Sequence, residues 1–299
     1  MSWLVTQAVE EFLAEAGDFL RAEPARNTVL LSVTENLRVA AAARPTRPRA
    51  GDGTLLGWWR PSPAHIPNAV VGAFLHTPGF PVVLTSMPGE AVTALAAELA
   101  ASGRRVSGLS AQAQAAQAFA AAWRQRTGDA STVRRLIRLW LLATLVRPNP
   151  GPQGEPRVAD ERDRDLLIKW SRDFLRDIRD RAEDAAAEVD QRLGYGGLTV
   201  WEAGGTPVSM AGITRIVHAM ARVGSVYTPP ELRGRGYASG VTAAVSQAAL
   251  DAGAAQVVLF TDLANATSNA LYERLGYRPV EDRTELSFAA AGSPGDRAR

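Results

Sequence analysis

Two glycines and two arginines lie together in the segment Arg233–Ala238, between a predicted strand and a predicted helix. The start of a helix has unpaired N–H groups and a partial positive charge, so it favours an anion. Gly234 and Gly236 can adopt positive φ and bring the backbone close to phosphate oxygens, while Arg233 and Arg235 add charge. The segment is therefore predicted to bind a diphosphate. A glycine turn with two solvated arginines is the alternative that these residues alone leave open.

A second group of polar residues follows a short, wholly apolar strand predicted at Gln256–Thr261. Asn265, Ser268 or Asn269, and Tyr272 are spaced three or four residues apart, so they share one helical face. Such a face next to a buried strand predicts a surface that lines a ligand. The alternative is that the tyrosine is a half-buried packing residue.

Together these two motifs resemble those of the GNAT superfamily of acetyltransferases. Arg233-x-x-Gly236-x-Ala238 is similar to the (Q/R)-x-x-G-x-(G/A) pattern of that family. The run from Asn265 to Tyr272, followed by Gly276 and an aromatic residue, resembles its N-x-x-(A/S)-x-x-x-Y motif. The resemblance extends from about Gln153 to Phe288. It implies an acyltransferase that uses acetyl-CoA as co-substrate.

The resemblance also implies roles for individual residues. The backbone amides of Arg233–Ala238 would bind the coenzyme A pyrophosphate, Asn265 would contact the pantetheine region, and Tyr272 would be the general acid that protonates the departing thiolate. A strand amide near Val226 would donate to the oxyanion. The implied cofactor site comprises Val226, Tyr227, Thr228, Arg233, Gly234, Arg235, Gly236, Tyr237, Ala238, Asn265, Ser268 and Asn269.

No general base is evident. Many relatives have a glutamate on the strand that precedes the loop, but Ala221–Thr228 contains no acidic residue. Glu202 and His218 are substitutes that the sequence does not rank. Base catalysis through ordered water, or binding of an amine that is already neutral, is equally open.

These motifs require a strand, a loop and two helices to position them, and the whole chain predicts a mixed α/β fold. Both halves have the order helices, three strands, helix, strand, helix, strand, which indicates an internal duplication. We expect tandem GNAT-like domains, each with a central mixed sheet flanked by helices. The predicted boundaries are residues 1–150 for a degenerate domain, 153–290 for the catalytic domain and 291–299 for a disordered tail.

The N-terminal half departs from the family pattern. Its loop Ser86–Glu90 has one glycine and no arginine, and the helix that would carry the acid has Phe119 and no tyrosine. We therefore expect no acyl-CoA site in this half. Two further predictions concern its ends, namely a helix over Met1–Leu20 and a long strand over Thr132–Val146.

The amino-acid composition and charge argue against several classes of site and partner. The 299-residue chain has no cysteine, which excludes disulfides and thiolate zinc sites, and no metal site is predicted. A net charge of +2 from interspersed acids and bases argues against nucleic-acid binding. The N-terminus lacks the basic flank of a signal peptide, and the most apolar run is too short to span a bilayer, so we expect a cytoplasmic protein without a membrane segment.

The predicted reaction is transfer of acetyl from acetyl-CoA to a primary amine of a small molecule. A protein N-terminus or lysine as the acceptor is the alternative within the enzyme class. A different class is an acyl-CoA-binding sensor or scaffold with weak catalysis, which the missing strand glutamate favours and the intact Tyr272 disfavours. A homodimer is left open.

Overall fold

The computed structural model describes residues 2–43, 53–61, 69–180 and 185–289. The predicted tail 291–299 lies outside these residues. The chain divides into two compact units. Their described parts are 2–43, 53–61, 69–138, 262–264 and 281–289 for the N-terminal unit, and 139–180, 185–261 and 265–280 for the C-terminal unit.

The N-terminal half contains strand β1 Ser2–Thr6, helices α1 Val9–Ala22 and α2 Thr28–Ala43, strands β2 Leu55–Arg60, β3 Gly72–His76 and β4 Val82–Leu84, helix α3 Gly89–Ala101, strand β5 Gly108–Ala111, helix α4 Ala113–Thr127 and strand β6 Ala130–Leu142. The C-terminal half contains strand β7 Glu155–Val158, helices α5 Arg164–Asp177 and α6 Ala185–Leu193, strands β8 Leu198–Ala203, β9 Thr206–Ile213 and β10 Met220–Tyr227, helix α7 Tyr237–Asp251, strand β11 Gln256–Asp262, helix α8 Ala266–Arg274 and strand β12 Tyr277–Ala289. Short 3₁₀ turns precede α5 at Glu161–Asp163 and α7 at Pro230–Leu232.

Each half therefore repeats one order of elements, as the duplication predicted. In the N-terminal unit the strands lie in the order β1-β2-β3-β4-β5-β12, and in the C-terminal unit in the order β7-β8-β9-β10-β11-β6. The pairs β4/β5 and β10/β11 are parallel, and the first three pairs of each unit are antiparallel. The predicted fold, a mixed sheet flanked by helices in tandem copies, is confirmed.

The units are not continuous in sequence, because the final strands are exchanged. Residues 281–289 of β12 belong to the N-terminal unit, where Thr284–Ser287 pair antiparallel with β5. Residues 139–142 of β6 belong to the C-terminal unit. Leu286 accordingly lies in the N-terminal core and Trp140 in the C-terminal core. The observed units thus differ from the predicted segments 1–150 and 153–290. The predicted segments keep β6 in the first half and β12 in the second, whereas parts of both strands belong to the other unit.

Gly108 shows how closely the exchanged strand approaches. A Cβ at this position would lie 2.2 Å from the carbonyl oxygen of Leu286. Real Cβ atoms do not come this near to a backbone oxygen, so glycine is required where β5 meets β12.

The predicted helix over Met1–Leu20 is wrong in its first turn, because Ser2–Thr6 is a strand paired antiparallel with β2. Trp3 is buried in the N-terminal core, and its indole N–H donates to the carbonyl of Ala91 at 2.9 Å. The predicted strand over Thr132–Val146 is present but ends at Leu142. In the described part of the chain, no helix is both long enough and apolar enough to cross a membrane.

Candidate active site

A β-bulge lies in β10 immediately before the glycine loop. In the pairing with β9, Gly224 is opposite Gly212 and Tyr227 is opposite Met210, so Ser225 and Val226 together oppose a single residue. Ser225 has φ +50°, in the left-handed region. Because Ser225 and Val226 lie outside the regular register, the bulge interrupts the ladder and re-aims the strand.

The bulge also changes which face of the sheet the strand presents. Two residues four apart in a regular strand share a face. Val223, however, packs in the cluster on the α7 side, whereas Tyr227 packs with Trp170 of α5 on the other side. The extra residue therefore places Val226 against the α7 side and Tyr227 against the α5 side.

The end of β10 is also not paired with β11. The parallel register between these strands runs from Met220 opposite Gln256 to Val223 opposite Leu259 and stops there. β10 continues to Tyr227 and β11 continues to Asp262. The last residues of β10 and β11 are therefore not paired with each other. In β10 these residues lie directly before the loop.

The loop between β10 and α7 has the backbone that the glycines predicted. Gly234 has φ +78°, and Gly236, the N-cap of α7, has φ +82°. Among the described residues no side chain caps this helix, and its first turn contains no acidic residue. The N–H groups that open α7 are therefore available to an external acceptor, and the helix dipole favours an anion there. The space where Gly234 lacks a side chain is open, with no described residue within 4 Å of a Cβ position there.

The two loop arginines differ in what they contact. Arg233 folds back over the strand end, where its Nε donates to the carbonyl of Thr228 at 2.9 Å and its Nη2 to the carboxylate of Asp177 at 2.7 Å. Its guanidinium also lies 5.8 Å from the centre of the Tyr227 ring. Arg235 is exposed, with one long bond of 3.4 Å from Nη2 to the carbonyl of Glu231. Arg233 thus fixes the loop to β10 and α5, whereas Arg235 is open to solvent.

The hydroxyl of Thr228 is bonded beneath this loop. Its Oγ1 lies 2.8 Å from Oγ of the buried Ser209 on β9, which also donates to the carbonyl of Tyr227 at 3.0 Å. Tyr237, the first residue of α7, is buried in the C-terminal core. Thr228 and Tyr237 therefore attach the two ends of the loop to the C-terminal unit, Thr228 through Ser209 and Tyr237 through the core.

The polar residues of α8 support the helix itself. Asn265 is its N-cap, and Oδ1 accepts from the backbone N–H of Ser268 at 3.0 Å. Oδ1 of Asn269 accepts from the hydroxyl of Thr261, which accepts from the indole N–H of Trp140 at 2.8 Å. Asn265 and Asn269 thus orient α8 at the end of β11. Asn265 is exposed, and its bond to Ser268 uses only the amide oxygen.

Tyr272 is buried, with 8% of its surface exposed. It belongs to the same core cluster as Tyr237, and Val226 packs against that cluster. Its ring meets Tyr277 edge-on, with the ring centres 6.0 Å apart. Burial raises the pKa of Tyr272 well above its ordinary value, because the interior disfavours the phenolate. The hydroxyl therefore remains protonated across the working range of pH.

Comparison with known proteins agrees with this geometry. Residues 156–277 match the Acetyltransferase (GNAT) family. The segment 156–277 is therefore a GNAT acetyltransferase domain. A search among curated proteins found no match.

Solved structures share the fold across almost the whole chain. An acetyltransferase from the GNAT family of Colwellia psychrerythraea is 11% identical with a TM-score of 0.57, and the alignment covers 96% of this chain and 99% of that one. A GCN5-related N-acetyltransferase from Sphaerobacter thermophilus is 13% identical with a TM-score of 0.60, covering 97% of both chains. A Drosophila protein is 14% identical with a TM-score of 0.63, covering 94% and 95%. The N-terminal unit therefore shares this fold as well.

Neither candidate base lies free beside the loop of the GNAT domain. The carboxylate of Glu202 on β8 accepts from Nε of Arg157 at 2.6 Å, and Arg157 also holds Asp163. His218 is exposed in the turn that precedes β10, at the opposite end of the strand from Tyr227. The structure thus ties Glu202 into an ion-pair network and separates His218 from the loop by the length of β10.

The N-terminal unit has a different arrangement at the position that corresponds to the GNAT loop. Its loop contains Ser86–Pro88, and Pro88 is the N-cap of α3, whose first turn carries Glu90. Where the pairing of β4 and β5 ends, Nη2 of the buried Arg283 donates to the carbonyls of Leu84 and Ser110 at 2.7 and 2.8 Å. A guanidinium thus bridges the two strand ends in this unit.

Three residues that shape these sites escaped the sequence analysis. Gly224 inside a predicted strand was the available signal for the bulge that places Ser225 in the left-handed region. Asp177, the partner of Arg233, lies far from the loop in sequence and gave no signal. Arg283 acts in the other unit through strand exchange, which no local pattern indicates.

Proposed function

We propose that the protein is an acyl-CoA-dependent N-acyltransferase that transfers acetyl from acetyl-CoA to a primary amine of a small molecule. The observation that carries this proposal is the uncapped start of α7, with Gly234 and Gly236 in the left-handed region, directly after the bulged end of β10, where the pairing with β11 has stopped. An anion and an extended polar chain are the two ligand parts that this arrangement accommodates.

The described residues fit the co-substrate in the following way. The pyrophosphate would accept from the backbone N–H groups of Gly234–Ala238 at the start of α7, with Arg235 adding charge from solvent. Because Arg233 is engaged with Thr228 and Asp177, its part is to hold the loop in shape. Beyond the loop, the edge of β10 that faces β11 at Ser225–Tyr227, past the end of their pairing, and the amide of Asn265 would offer hydrogen bonds to the pantetheine amides.

In the reaction, the amine nitrogen forms a bond to the thioester carbonyl carbon, and the carbon–sulfur bond then breaks. The Val226 N–H, which the bulge removes from the regular ladder, would donate to the carbonyl oxygen as negative charge develops there. The Tyr272 hydroxyl would donate to the departing sulfur, and the nitrogen would release the proton that balances the products, an amide and a free thiol. General acid assistance of this kind contributes roughly 10²–10⁴-fold in rate.

The raised pKa of Tyr272 bears on this role. A phenol that is a weaker acid than usual keeps its proton in the resting enzyme, so the donor form is always present. Its contribution is then a hydrogen bond that strengthens as the sulfur gains charge, which stabilises the transition state more than the bound thioester.

The absence of an acid from β10 also shapes the proposal. With Glu202 bound to Arg157 and His218 in a distant turn, the acceptor would enter as a neutral amine or lose its proton to water. Acceptors with a low amine pKa are therefore expected to react best near neutral pH, and turnover of more basic amines should rise with pH.

A thiol-release screen tests the proposed function. The full-length protein is incubated with acetyl-CoA and a panel of small primary amines of graded pKa, and free thiol is followed with a chromogenic disulfide. We expect at least one amine to give turnover that Tyr272→Phe strongly reduces. Binding of acetyl-CoA without thiol release for any amine would contradict catalysis and favour the sensor class.

A further inference from the structure

A cavity of about 350 Å³ lies in the N-terminal unit and has no part in the proposed reaction. It is bounded by the junction of α1 and α2, the loop before α3 and the exchanged strand β12. Its volume falls in the range of small-molecule sites. One wall is apolar and is formed by Phe19, Val70, Val71 and Met87.

The opposite side carries two acids and two arginines, and the deeper pair is already satisfied. Glu281 accepts from Arg26 at 2.8 Å, from Arg283 at 2.7 Å and from Gln112 at 3.0 Å. Arg283 is also bonded to the carbonyls of Leu84 and Ser110. Glu281 and Arg283 therefore form a fixed, neutral floor and have little left for a ligand.

The outer pair, Glu23 and Arg26, is the part that remains available. Nε of Arg26 lies 3.2 Å from Oε1 of Glu23, and the exposed fractions of their side chains are 35% and 61%. Arg26 donates one Nη1 hydrogen to Glu281, and its other Nη hydrogens have no partner within the part of the chain that the structure describes. The cavity thus presents one guanidinium and one carboxylate in contact at its mouth, with no net charge.

This pattern defines the ligand by charge and by shape. An anion alone would meet Glu23, and a cation alone would meet Arg26, so a single charge gains little at this pair. A molecule with both charges joined through one carbon places each against its opposite. An aliphatic body attached to the same carbon would cover the apolar wall.

We propose that this cavity binds the zwitterion of an aliphatic α-amino acid. The ligand carboxylate accepts from the Nη groups of Arg26, the ammonium donates to Glu23, and the side chain packs against Val70, Val71 and Met87. We assign this cavity binding only and no reaction. It does not depend on the proposed transferase function.

Calorimetry with L-leucine as the probe tests the ligand class on the full chain. We expect one site per chain. The analogue that lacks the ammonium, 4-methylpentanoate, and the analogue that lacks the carboxylate, 3-methylbutylamine, should each bind at least tenfold more weakly. Absence of leucine binding, or an equal affinity for either analogue, would overturn the proposal.

Matched variants locate the site. Arg26→Gln should weaken leucine binding at least tenfold while Glu281 keeps its bonds to Arg283 and Gln112. Arg38→Gln is the control, because Arg38 lies on α2 and forms the same i,i+3 pair with Glu35 but is remote from the cavity lining. Unchanged affinity in Arg26→Gln, or an equal loss in Arg38→Gln, would overturn the assignment.

Two further variants separate this site from the transferase site and from a folding defect. Val70→Trp fills the cavity from its partly buried edge and should abolish leucine binding while leaving the thermal midpoint within a few degrees. Gly236→Glu, in the loop of the other unit, should leave leucine affinity unchanged. Loss of leucine binding in Gly236→Glu, or its persistence in Val70→Trp, would contradict a site in the N-terminal unit.

Discussion

The loop before α7 and the loop before α3 occupy the same place in the two copies of the fold, but they present opposite chemistry. Neither helix start has a side-chain cap among the described residues, but the C-terminal loop has two glycines in the left-handed region and no acid in the first turn. The N-terminal loop has Pro88 at the N-cap and Glu90 in the first turn. One helix start therefore attracts an anion, whereas the other repels it.

The strand ends beside these loops differ as well. In the C-terminal unit the bulge at Ser225 and Val226 interrupts the ladder, and the ends of β10 and β11 are not paired. In the N-terminal unit the guanidinium of Arg283 joins the ends of β4 and β5. The two copies of one fold thus carry different loop and strand-end residues, and it is such residues, rather than the fold, that determine function.

The largest effect is expected from reversing the charge at the C-terminal loop. Gly236→Glu should lower acetyl-CoA affinity by at least 100-fold, because the new carboxylate faces the phosphates and the residue must keep φ near +82°. Calorimetry measures the loss. Gly253→Glu is the control, since Gly253 ends the same helix with φ +91° and suffers similar strain, about 1–2 kcal/mol, away from the loop. Equal affinities in wild type and Gly236→Glu would contradict the assignment.

Tyr272→Phe tests the acid. We expect turnover to fall by about one to four orders of magnitude while acetyl-CoA affinity stays within a few-fold, since the hydroxyl acts only as sulfur departs. Steady-state kinetics and calorimetry measure the two quantities. Tyr277→Phe is matched, because it removes a buried hydroxyl bonded to Ser246 at 2.7 Å from the same aromatic pair. If both variants turned over at the wild-type rate, Tyr272 would be a packing residue.

Arg283→Met changes the strand ends of the N-terminal unit and leaves its loop before α3 unchanged, so it tests the two differences between the units separately. Loss of the buried guanidinium should lower the free energy of unfolding by roughly 3 kcal/mol, because Glu281 and two carbonyls lose a charged donor. Urea unfolding measures this. Arg138→Met should cost under about 1 kcal/mol, since its pair with Asp282 is partly exposed.

The same variant should not create an acyl-CoA site, because the loop before α3 still lacks the glycine chemistry. A second site in Arg283→Met would instead show that the bridging guanidinium alone silences the N-terminal unit.

The smallest effect concerns acid sensitivity. His76 on β3 is buried, and neither ring nitrogen has a hydrogen bond to the described residues; burial, with the charge of Arg104 second, lowers its pKa. The unfolded chain binds a proton at its ordinary pKa of about 6.5, and the folded state does not. Stability should therefore fall as pH drops below about 6.5 and level off once the folded state is protonated.

Urea unfolding at pH 7.5 and 5.5 checks this expectation. His76→Leu should show a smaller loss on acidification than wild type. His218→Ala, at an exposed histidine of the other unit, should show the wild-type loss. Equal losses in wild type and His76→Leu would contradict the assignment.

Local patterns predicted most of the fold and the backbone of the loop. The helix predicted after the segment Arg233–Ala238 is α7, Tyr237–Asp251, and Gly236 and Gly253 lie at its two ends. The strand at Ser2–Thr6 was not predicted, since its partners on β2 lie 50 to 58 residues away and their pairing overrides a helical spacing of apolar residues. The exchange of β6 and β12 was missed for the same reason, because partner choice between two similar sheets is a tertiary property.

At the site, the sequence indicated which residues lie near the loop but not how each is used. Arg233 was predicted as a phosphate contact, whereas its guanidinium is bonded to Thr228 and Asp177. Asn269 was predicted on a ligand face, and its amide oxygen is bonded to Thr261. Side-chain partners from distant elements decide such roles, and the spacing within one helix cannot reveal them.

The stoichiometry of acetyl-CoA on the full chain tests the central claim most directly, which is that one copy of the fold binds the co-substrate and the other does not. Calorimetry should give one site per chain, because the loop before α7 alone combines left-handed glycines with an uncapped helix start. Two sites of comparable affinity per chain would contradict the account, since the loop before α3 would then bind the same ligand without that chemistry.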